Sequence, residues 1–171
     1  MKVNTSYIKK NRGFTLIEIM IVVAITSILA GISVGLYGQY RMKTYNASAA
    51  SDLRNIMSFE TLFHEEYLEY APVSLADMQP SGIILANVTL KTGSTVPFKI
   101  SSLNKNMAVI VKTSNTNGNA IGATKHAGGN IILAIDFDAL AIKKTAKQGP
   151  LSTADVPAPT NANDLAGWSH Y

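Results

Sequence analysis

One carboxylate stands alone in the longest apolar stretch of this 171-residue chain. From Phe14 to Tyr37 the sequence reads FTLIEIMIVVAITSILAGISVGLY, and Glu18 is its one charged residue. A helix of this length is about 36 Å long, which is enough to cross the hydrocarbon core of a bilayer. A carboxylate in hydrocarbon carries a large desolvation cost, so Glu18 requires either a partner or a function.

The residues before the apolar run have the composition of a processing signal. Basic side chains at Lys9, Lys10 and Arg12 are followed by Gly13 and then by FTLIEIMIVVAI. This combination resembles the class III signal of type IV prepilins. In that family a membrane-embedded aspartic peptidase cuts after the glycine and methylates the new amine. The resemblance therefore implies cleavage between Gly13 and Phe14, and N-methylation of Phe14.

Glu18 acquires a role under this resemblance. Cleavage would create a cation at the start of an apolar helix, where the nearest counter-charge is a carboxylate four residues on or in a neighbouring chain. The resemblance implies that Glu18 offsets the Phe14 amine when subunits pack. It also implies that Phe14, Thr15 and Glu18 contribute to filament assembly.

Two other interpretations of the same stretch explain less of it. A secretory signal peptide has an apolar region of about 7 to 15 residues that ends beside a small-residue cleavage site. Here the apolar run is longer, and the nearest such site, Ala47-Ser48-Ala49, lies well beyond its end. An uncleaved membrane anchor explains the length of the run, but neither Gly13 nor Glu18.

Small residues form a stripe along the apolar helix. Gly31, Gly35 and Gly38 continue a series that begins with Ala24 and Ser27 at helical spacing, so another helix can approach closely on this face. Many pilins carry a proline where this chain has Gly35. Each glycine weakens a helix by about 1 kcal/mol relative to alanine. The glycines therefore serve either close packing or helix loosening during assembly.

The net charge and the absence of cysteine limit the classes of function that this chain can have. The chain has no cysteine, so its end must be held by packing and hydrogen bonds instead of the C-terminal disulfide of many type IV pilins. Removing the leader residues Lys2, Lys9, Lys10 and Arg12 from 15 basic residues leaves 11, which equals the 11 acidic residues. The formal charge of +4 is thus no argument for nucleic-acid binding. The basic leader predicts a cytoplasmic N-terminus.

The chain beyond the apolar run predicts a continued helix and a small sheet. Apolar residues from Leu53 to Tyr70 recur at spacings of three and four, and Pro72 stops the helix, which would span residues 14–71. The predicted fold class is α+β: a long helix, transmembrane in its first half and amphipathic in its second, packed on an antiparallel β-sheet, as in the pilin fold. The predicted strands are residues 83–91, 96–101, 107–113, 130–137 and 139–144, with Val109, Val111, Ile132 and Leu133 among the candidates for the buried face.

These elements predict three parts of the chain. Residues 1–13 are a leader that is removed, residues 14–38 are the transmembrane and filament-core helix, and residues 39–171 are a periplasmic or extracellular head. Within the head we expect a helix at 39–71, an irregular connector at 72–82, a sheet at 83–144 with an exposed loop at 114–129, and a C-terminal surface tail at 145–171 that Trp168 and Tyr171 are candidates to dock.

No set of residues in the head has the pattern of a catalytic or cofactor site. His64 has no second histidine one helical turn on, as a zinc motif requires, and His126 and His170 fall in a predicted loop and tail. Asp136 and Asp138 are candidates for calcium, but two carboxylates fall short of the six to eight oxygens that calcium prefers. The glycines of the predicted loop, Gly118, Gly128 and Gly129, lack the lysine of a phosphate-binding loop. We therefore expect no enzyme activity, no metal and no cofactor.

Aromatic residues recur along the predicted helix, from Phe14 to Tyr70. Some pilins of metal-respiring bacteria with similar helices have been proposed to carry electrons. A stripe of aromatics at helical spacing is more often core packing, which is the interpretation adopted here.

The sequence thus predicts a structural subunit of a type IV pilus that serves adhesion, motility or related surface tasks. Its expected partners are copies of itself in a helical homopolymer, the prepilin peptidase, the assembly machinery of the inner membrane and an outer-membrane secretin. The subunit would cross the inner membrane once before assembly and lie in an extracellular pilus afterwards.

Two alternatives remain open at this point. A type II secretion pseudopilin shares the N-terminal motif, and a minor pilin captures DNA or a surface. The predicted loop contains only two basic residues that could contact DNA, Lys125 and His126, so nucleic-acid binding is not expected.

Overall fold

The computed structural model describes residues 13–114 and 118–171. The chain divides into two compact units, Met1–Gln39 and Tyr40–Tyr171, and we call the second unit the head. The helix α1, Leu16–Tyr67, contributes to both units and passes through Gly31, Gly35 and Gly38 without a break.

α1 is shorter at both ends than the predicted span of residues 14–71. It begins after Thr15, whose side chain caps the first turn. It ends at Tyr67 because Leu68 adopts a left-handed backbone conformation, with φ of 56°, and the Leu68 N–H donates to the carbonyl of His64 at 2.8 Å. A residue in this conformation is a common helix terminator, so the helix stops before Pro72 is reached.

The predicted connector at 72–82 contains regular structure. Val73 forms an antiparallel bridge with Val111, and a short 3₁₀ helix follows at Leu75–Asp77. The first antiparallel sheet then has the order β1-β2-β3. Its strands are β1, Met78–Gln79; β2, Ile83–Thr89; and β3, Thr95–Ile100.

The second sheet is an antiparallel meander of five strands in chain order, where one small sheet was expected for the whole head. A second 3₁₀ helix, Thr153–Asp155, lies between its last two strands. The strands are β4, Met107–Thr113; β5, Ala120–His126; β6, Ile131–Asp136; β7, Ala141–Ala146; and β8, Ser169–His170.

The prediction of an exposed loop at 114–129 was wrong for the central part of that segment. β5 occupies Ala120–His126, and all seven of its residues are buried. The sequence AIGATKH shows no alternation of apolar and polar residues, because both faces of this strand are covered. The polar residues and glycines around it were therefore mistaken for a loop.

The helix covers one face of the five-stranded sheet. Leu53, Ile56 and Phe63 of α1 belong to one buried cluster with residues of both sheets, as the predicted amphipathic stripe requires. Val109, Val111 and Leu133 face this cluster, whereas Ile132 lies on the opposite face of the sheet.

The prediction of a surface tail at 145–171 was also wrong. Leu151, Val156 and Leu165 are buried on the second face of the five-stranded sheet, where they pack with residues of β4, β5 and β6. Trp168 packs against the same cluster, so it does dock the C-terminal segment. The Tyr171 side chain stays exposed, although its N–H donates to the carbonyl of Ile142 at 3.3 Å.

Lysine side chains fasten this C-terminal segment in a chain without disulfides. Lys143 Nζ donates to Asn163 Oδ1 at 3.1 Å and to the carbonyl of Leu165 at 3.0 Å. Lys112 Nζ donates to the carbonyl of Val156. The ammonium groups of one buried and one half-buried lysine thereby satisfy carbonyls of a segment that is otherwise irregular.

Candidate assembly site at the start of the helix

Thr15 and Glu18 form a reciprocal hydrogen-bonded cap at the start of α1. Both the N–H and the hydroxyl of Thr15 donate to Glu18 Oε2 at 2.7 Å, and the Glu18 N–H donates to Thr15 Oγ1 at 3.3 Å. Thr15 is the N-cap and Glu18 the third helical residue, which is the arrangement of a capping box. The spacing of these two residues in the sequence is therefore sufficient to start the helix here.

This cap fixes where the carboxylate of Glu18 lies. Within the described residues, its hydrogen bonds all go to Oε2, and Oε1 receives none. The side chain is held beside the Phe14-Thr15 peptide, while one of its oxygens remains open to a group from outside the chain. The positive end of the helix dipole favours a negative charge at this position.

The residues of the predicted cleavage site are accessible. Phe14 has 85% of its surface exposed, and a Cβ placed on Gly13 would meet no atom within 4 Å. The described structure therefore gives no steric reason for glycine at this position.

The apolar side chains of the first unit are uncovered. Exposure is 59% at Ile17, 66% at Ile28 and 74% at Val34. Among the described residues one helix, α1, is long and apolar enough to cross a membrane, with a mean hydropathy of 2.5 over the relevant window, none of which is buried. Burial of such a surface requires lipid or other protein chains.

The hydroxyl groups in this segment are satisfied by the helix itself. Thr26 donates to the carbonyl of Val22 at 2.8 Å, and Ser33 donates to that of Leu29 at 2.8 Å. Ser27 bonds in the same way to a carbonyl one turn earlier. These polar side chains are thus compatible with an apolar environment, which offers no water as a partner.

The stripe of glycines lies open. A Cβ at Gly31, Gly35 or Gly38 would meet nothing within 4 Å. Since no neighbour among the described residues requires glycine at these positions, the stripe is available to a close-packed helix from elsewhere.

The two candidate calcium ligands instead organise a turn. Asp136 is buried, and its two oxygens accept the N–H groups of Asp138 and Asp164, each at 3.1 Å. Asp138 Oδ2 accepts a bond from Asn119 Nδ2 at 2.5 Å, and desolvation, followed by the charges of Asp136 and Asp164, raises the pKa of Asp138. In the part of the chain that the structure describes, no group of three potential ligands could hold a metal.

The histidines take structural positions. His126 lies in β5 and stacks on Tyr45 of α1, with ring centroids 4.3 Å apart, and its Nδ1 accepts the Gly128 N–H at 3.0 Å. Burial lowers the pKa of His126. His64 stacks on Tyr70 at 4.4 Å. His170 is exposed in β8.

Sequence analysis overlooked a buried carboxyl group in the head. Glu60 is fully buried, and its Oε2 accepts the Ala71 N–H at 2.8 Å. Desolvation raises the pKa of Glu60 to about 8. Its position could have revealed it, since Glu60 falls four residues after Ile56 and three before Phe63, on the apolar stripe of the helix.

Comparisons with known proteins agree with this architecture. Residues 8–34 match the family described as a prokaryotic N-terminal methylation motif. The chain is 31% identical over 141 residues to the fimbrial protein EcpC of Eikenella corrodens, a match that spans 82% of this chain and 79% of that protein. It is 37% identical over 62 residues to the type IV major pilin protein PilA of Myxococcus xanthus, which spans 36% of this chain but only 28% of that protein.

A capped apolar helix that continues into a head of antiparallel sheets defines the pilin class of proteins. The chain belongs to the type IV pilin family and has the N-terminus of a precursor. Its relatives support the role of a pilus subunit, and the uncovered apolar helix that follows the methylation motif supports association with a membrane.

Proposed function

We propose that this chain is a prepilin that is cut between Gly13 and Phe14, methylated at the new amine of Phe14, and built into a type IV pilus used for adhesion or motility. The observation that carries the proposal is the uncovered apolar helix behind a capped start. Lipid covers such a helix before assembly, and the helices of other copies cover it afterwards. Phe14, Thr15 and Glu18 lie at the end where those copies would meet.

The open oxygen of Glu18 supports its role as a counter-charge. Thr15 fixes one carboxylate oxygen and leaves Oε1 for an external cation. In the assembled filament that cation is the Phe14 amine of an adjoining copy, because a charge left unpaired in an apolar filament core carries a large desolvation cost.

The accessible glycine supports processing. Nothing in the described chain requires glycine at position 13, so the requirement lies with a partner. A peptidase that grips the backbone before the cut excludes a side chain there, and glycine alone lacks a Cβ. Gly31, Gly35 and Gly38 are assigned on the same argument to close helix packing in the filament.

The direction of insertion follows from the leader. Its basic residues retain the N-terminus in the cytoplasm of the cell, so the head lies on the far side of the inner membrane. This orientation presents the cleavage site to the prepilin peptidase. It presents the head to the inner-membrane assembly machinery and to the outer-membrane secretin through which the pilus leaves.

Two measurements on cells that express the chain test the proposal together. Electron microscopy of sheared surface material should reveal filaments whose main band yields peptides of this chain. N-terminal mass spectrometry of that band should find a methylated chain that starts at Phe14. A mature chain that starts at Met1 or after Ala49, or the absence of filaments from cells that contain the subunit, would contradict the proposal. As a control for the cleavage site, Gly13→Val should accumulate in the membrane uncut.

A further inference from the structure

The exposed charges of the head are divided between its two ends. α1 contributes Tyr40 to Tyr67 to the head, which is about 40 Å of helix. We call the end beside Tyr40 the basal end and the end beside Tyr67 the distal end.

The basal end exposes basic side chains. Lys43 is exposed on α1, and Lys105 is exposed on the loop before β4. This loop lies near the basal end because the carbonyl of Asn106 accepts the Ala127 N–H at 2.9 Å, next to His126, which stacks on Tyr45 of α1.

The acidic residues near this end already have partners. Asp52 is buried and accepts two hydrogen bonds from Asn104. Asp155 is paired with Lys147 at 2.8 Å. The exposed charged side chains that the structure describes at this end are therefore basic.

The distal end exposes carboxylates. Glu65 and Glu66 are exposed in the last turn of α1. Asp138 is exposed at the turn after β6, which contacts the end of the helical segment through Tyr70 and Phe137, whose ring centroids are 4.7 Å apart. Lys91 adds an exposed cation at the same end and leaves the carboxylates in excess.

Two of these carboxylates lie where they destabilise the helix. The C-terminal end of a helix is the negative end of its dipole, where acidic side chains destabilise the helix and basic ones stabilise it. Glu65 and Glu66 both lie in that last turn. The stability of the head therefore does not explain their position, and a partner outside the head is needed to explain it.

Two leucines at the distal end also have positions that the stability of the head does not explain. Leu68 and Leu140 adopt left-handed backbone conformations, with φ of 56° and 51°, which glycine or asparagine adopts with less strain. Their side chains are 76% and 68% exposed, so packing within the head does not compensate for that strain. Strain of this kind is commonly retained at sites of interaction.

We infer that the acidic distal end of one head binds the basal, basic end of another copy of this chain. This inference rests on the proposed assembly into a filament and adds to it a head-to-head contact outside the helical core. Glu65, Glu66 and Asp138 face Lys43 and Lys105 of the next copy, and Leu68 and Leu140 contact the exposed Tyr40 and Met42.

The distance between the ends makes another copy the suitable partner. Lys43 and Glu65 lie about 33 Å apart along α1, about four times the Debye length of about 8 Å at physiological ionic strength. They cannot neutralise each other within a chain. Because the two surfaces differ, the contact is heterologous, and its repetition extends a polymer in one direction.

Charge reversal in the full chain tests this contact. The distal variant is Glu65→Lys with Glu66→Lys, and the basal variant is Lys43→Glu with Lys105→Glu. Each should lower the yield of sheared filament per cell by about tenfold or more, because like charges then oppose each other. The variant that combines all four changes should recover the yield to within about threefold of the unaltered chain, since the pairing is restored with reversed signs.

The matched control is Arg54→Glu with Lys99→Glu, which alters the net charge as the basal variant does, at exposed positions between the two ends. It should retain the unaltered yield. The distal variant places lysines at a helix C-terminus, so its loss of filaments cannot be attributed to a weaker helix. Filament formation by the unaltered chain with no effect of either reversal, or no recovery in the combined variant, would overturn the contact and leave the proposed function intact. No filaments from the unaltered chain would overturn the proposed function itself.

The leucines provide a test that does not change charge. Leu68→Asn with Leu140→Asn relieves the backbone strain and removes the apolar contact. The Tm of the detergent-solubilised subunit should be equal or higher, while the yield of sheared filament falls several-fold. An unchanged filament yield would contradict the inference that these leucines take part in the contact.

Discussion

Thr15 and Glu18 combine two tasks within four residues of the chain. Their reciprocal hydrogen bonds start the helix, and the same bonds aim one oxygen of the Glu18 carboxylate away from the cap. A substitution at Glu18 therefore alters both the cap and the charge, and a test of charge pairing has to separate the two.

Glu18→Gln makes that separation. Glutamine retains the length of the side chain and an oxygen that accepts from Thr15, but it carries no charge. If Glu18 pairs with the Phe14 amine of a neighbour, both Glu18→Val and Glu18→Gln should insert, be cut and yield no surface filaments, while Glu18→Asp, with a shorter side chain, should be intermediate. The measurement is the amount of sheared filament, normalised to the subunit level in the membrane. Normal filaments from Glu18→Gln would show that the cap matters and the charge does not.

Glu60 predicts a dependence of stability on pH. Its carboxyl group has a pKa of about 8 in the folded head, against 4.5 for the ordinary group, because it is desolvated. Between these two pH values the unfolded chain has released a proton that the folded chain still holds. The free energy of unfolding therefore falls as pH rises from about 4.5 to 8, by a few kcal/mol in total from this group.

Glu60→Gln should abolish that contribution. The amide oxygen can still accept the Ala71 N–H, and glutamine does not titrate. Thermal unfolding of the solubilised protein at pH 5 and pH 8 should therefore show a smaller loss of Tm for the variant than for the unaltered chain. Equal losses in the two proteins would mean that Glu60 titrates normally.

At the scale of elements, the C-terminal segment depends on one of two neighbouring lysines that lie on opposite faces of β7. Lys143 is buried and bonds to Asn163 and Leu165, whereas Lys144 lies on the other face, over the ring of Tyr171 at 5.6 Å. Lys143→Met should leave the buried Leu165 carbonyl without its donor, at a cost of about 1 to 3 kcal/mol. Limited proteolysis should then cut the segment after β7 faster, while Lys144→Met should leave the rate near that of the unaltered chain. Equal rates in all three proteins would contradict this role of Lys143.

The elements that the sequence predicted well were those with a clear local pattern of apolar residues. The stripe of Leu53, Ile56 and Phe63 has the period of a helix with one wet side, and the apolar runs of β2, β4 and β6 lie within the predicted strands. The cap at Thr15 was not anticipated, although a threonine followed by an acid three residues later is a known sign of a helix start.

The elements that the sequence missed were those whose partner lies far along the chain. β5 is covered on one face by α1 and on the other by the C-terminal segment, so its small residues and even Lys125 are buried without any alternation. Leu151, Val156 and Leu165 are spaced too irregularly to indicate an element, and they are buried only because the sheet offers a second face. Neither effect can be predicted from a local pattern.

At the scale of the whole molecule, the head should fold without the first unit. Every residue of both buried clusters lies between Ala49 and Leu165, within the head. A chain that lacks residues 1–40 should be monomeric in dilute solution, because the contact between heads is then not reinforced by packed apolar helices, and it should unfold in one cooperative thermal transition. Circular dichroism and sedimentation check the two statements, with Leu53→Ala as a variant that should lower the Tm because it leaves a cavity in the core. A broad transition or aggregation alone would contradict the assignment of helix and sheets to one unit.

The two sheets differ in how many of their residues can be substituted without loss of stability. In β2 every second side chain points to solvent, so Leu85, Asn87 and Thr89 can change with little consequence for the fold. β5 has no such position, because a substitution on either face meets a packed neighbour. A pilus surface under pressure to escape recognition by a host or a phage would therefore vary over the three-stranded sheet and the exposed residues near Asn161, while the strands beneath the C-terminal segment retained their sequence.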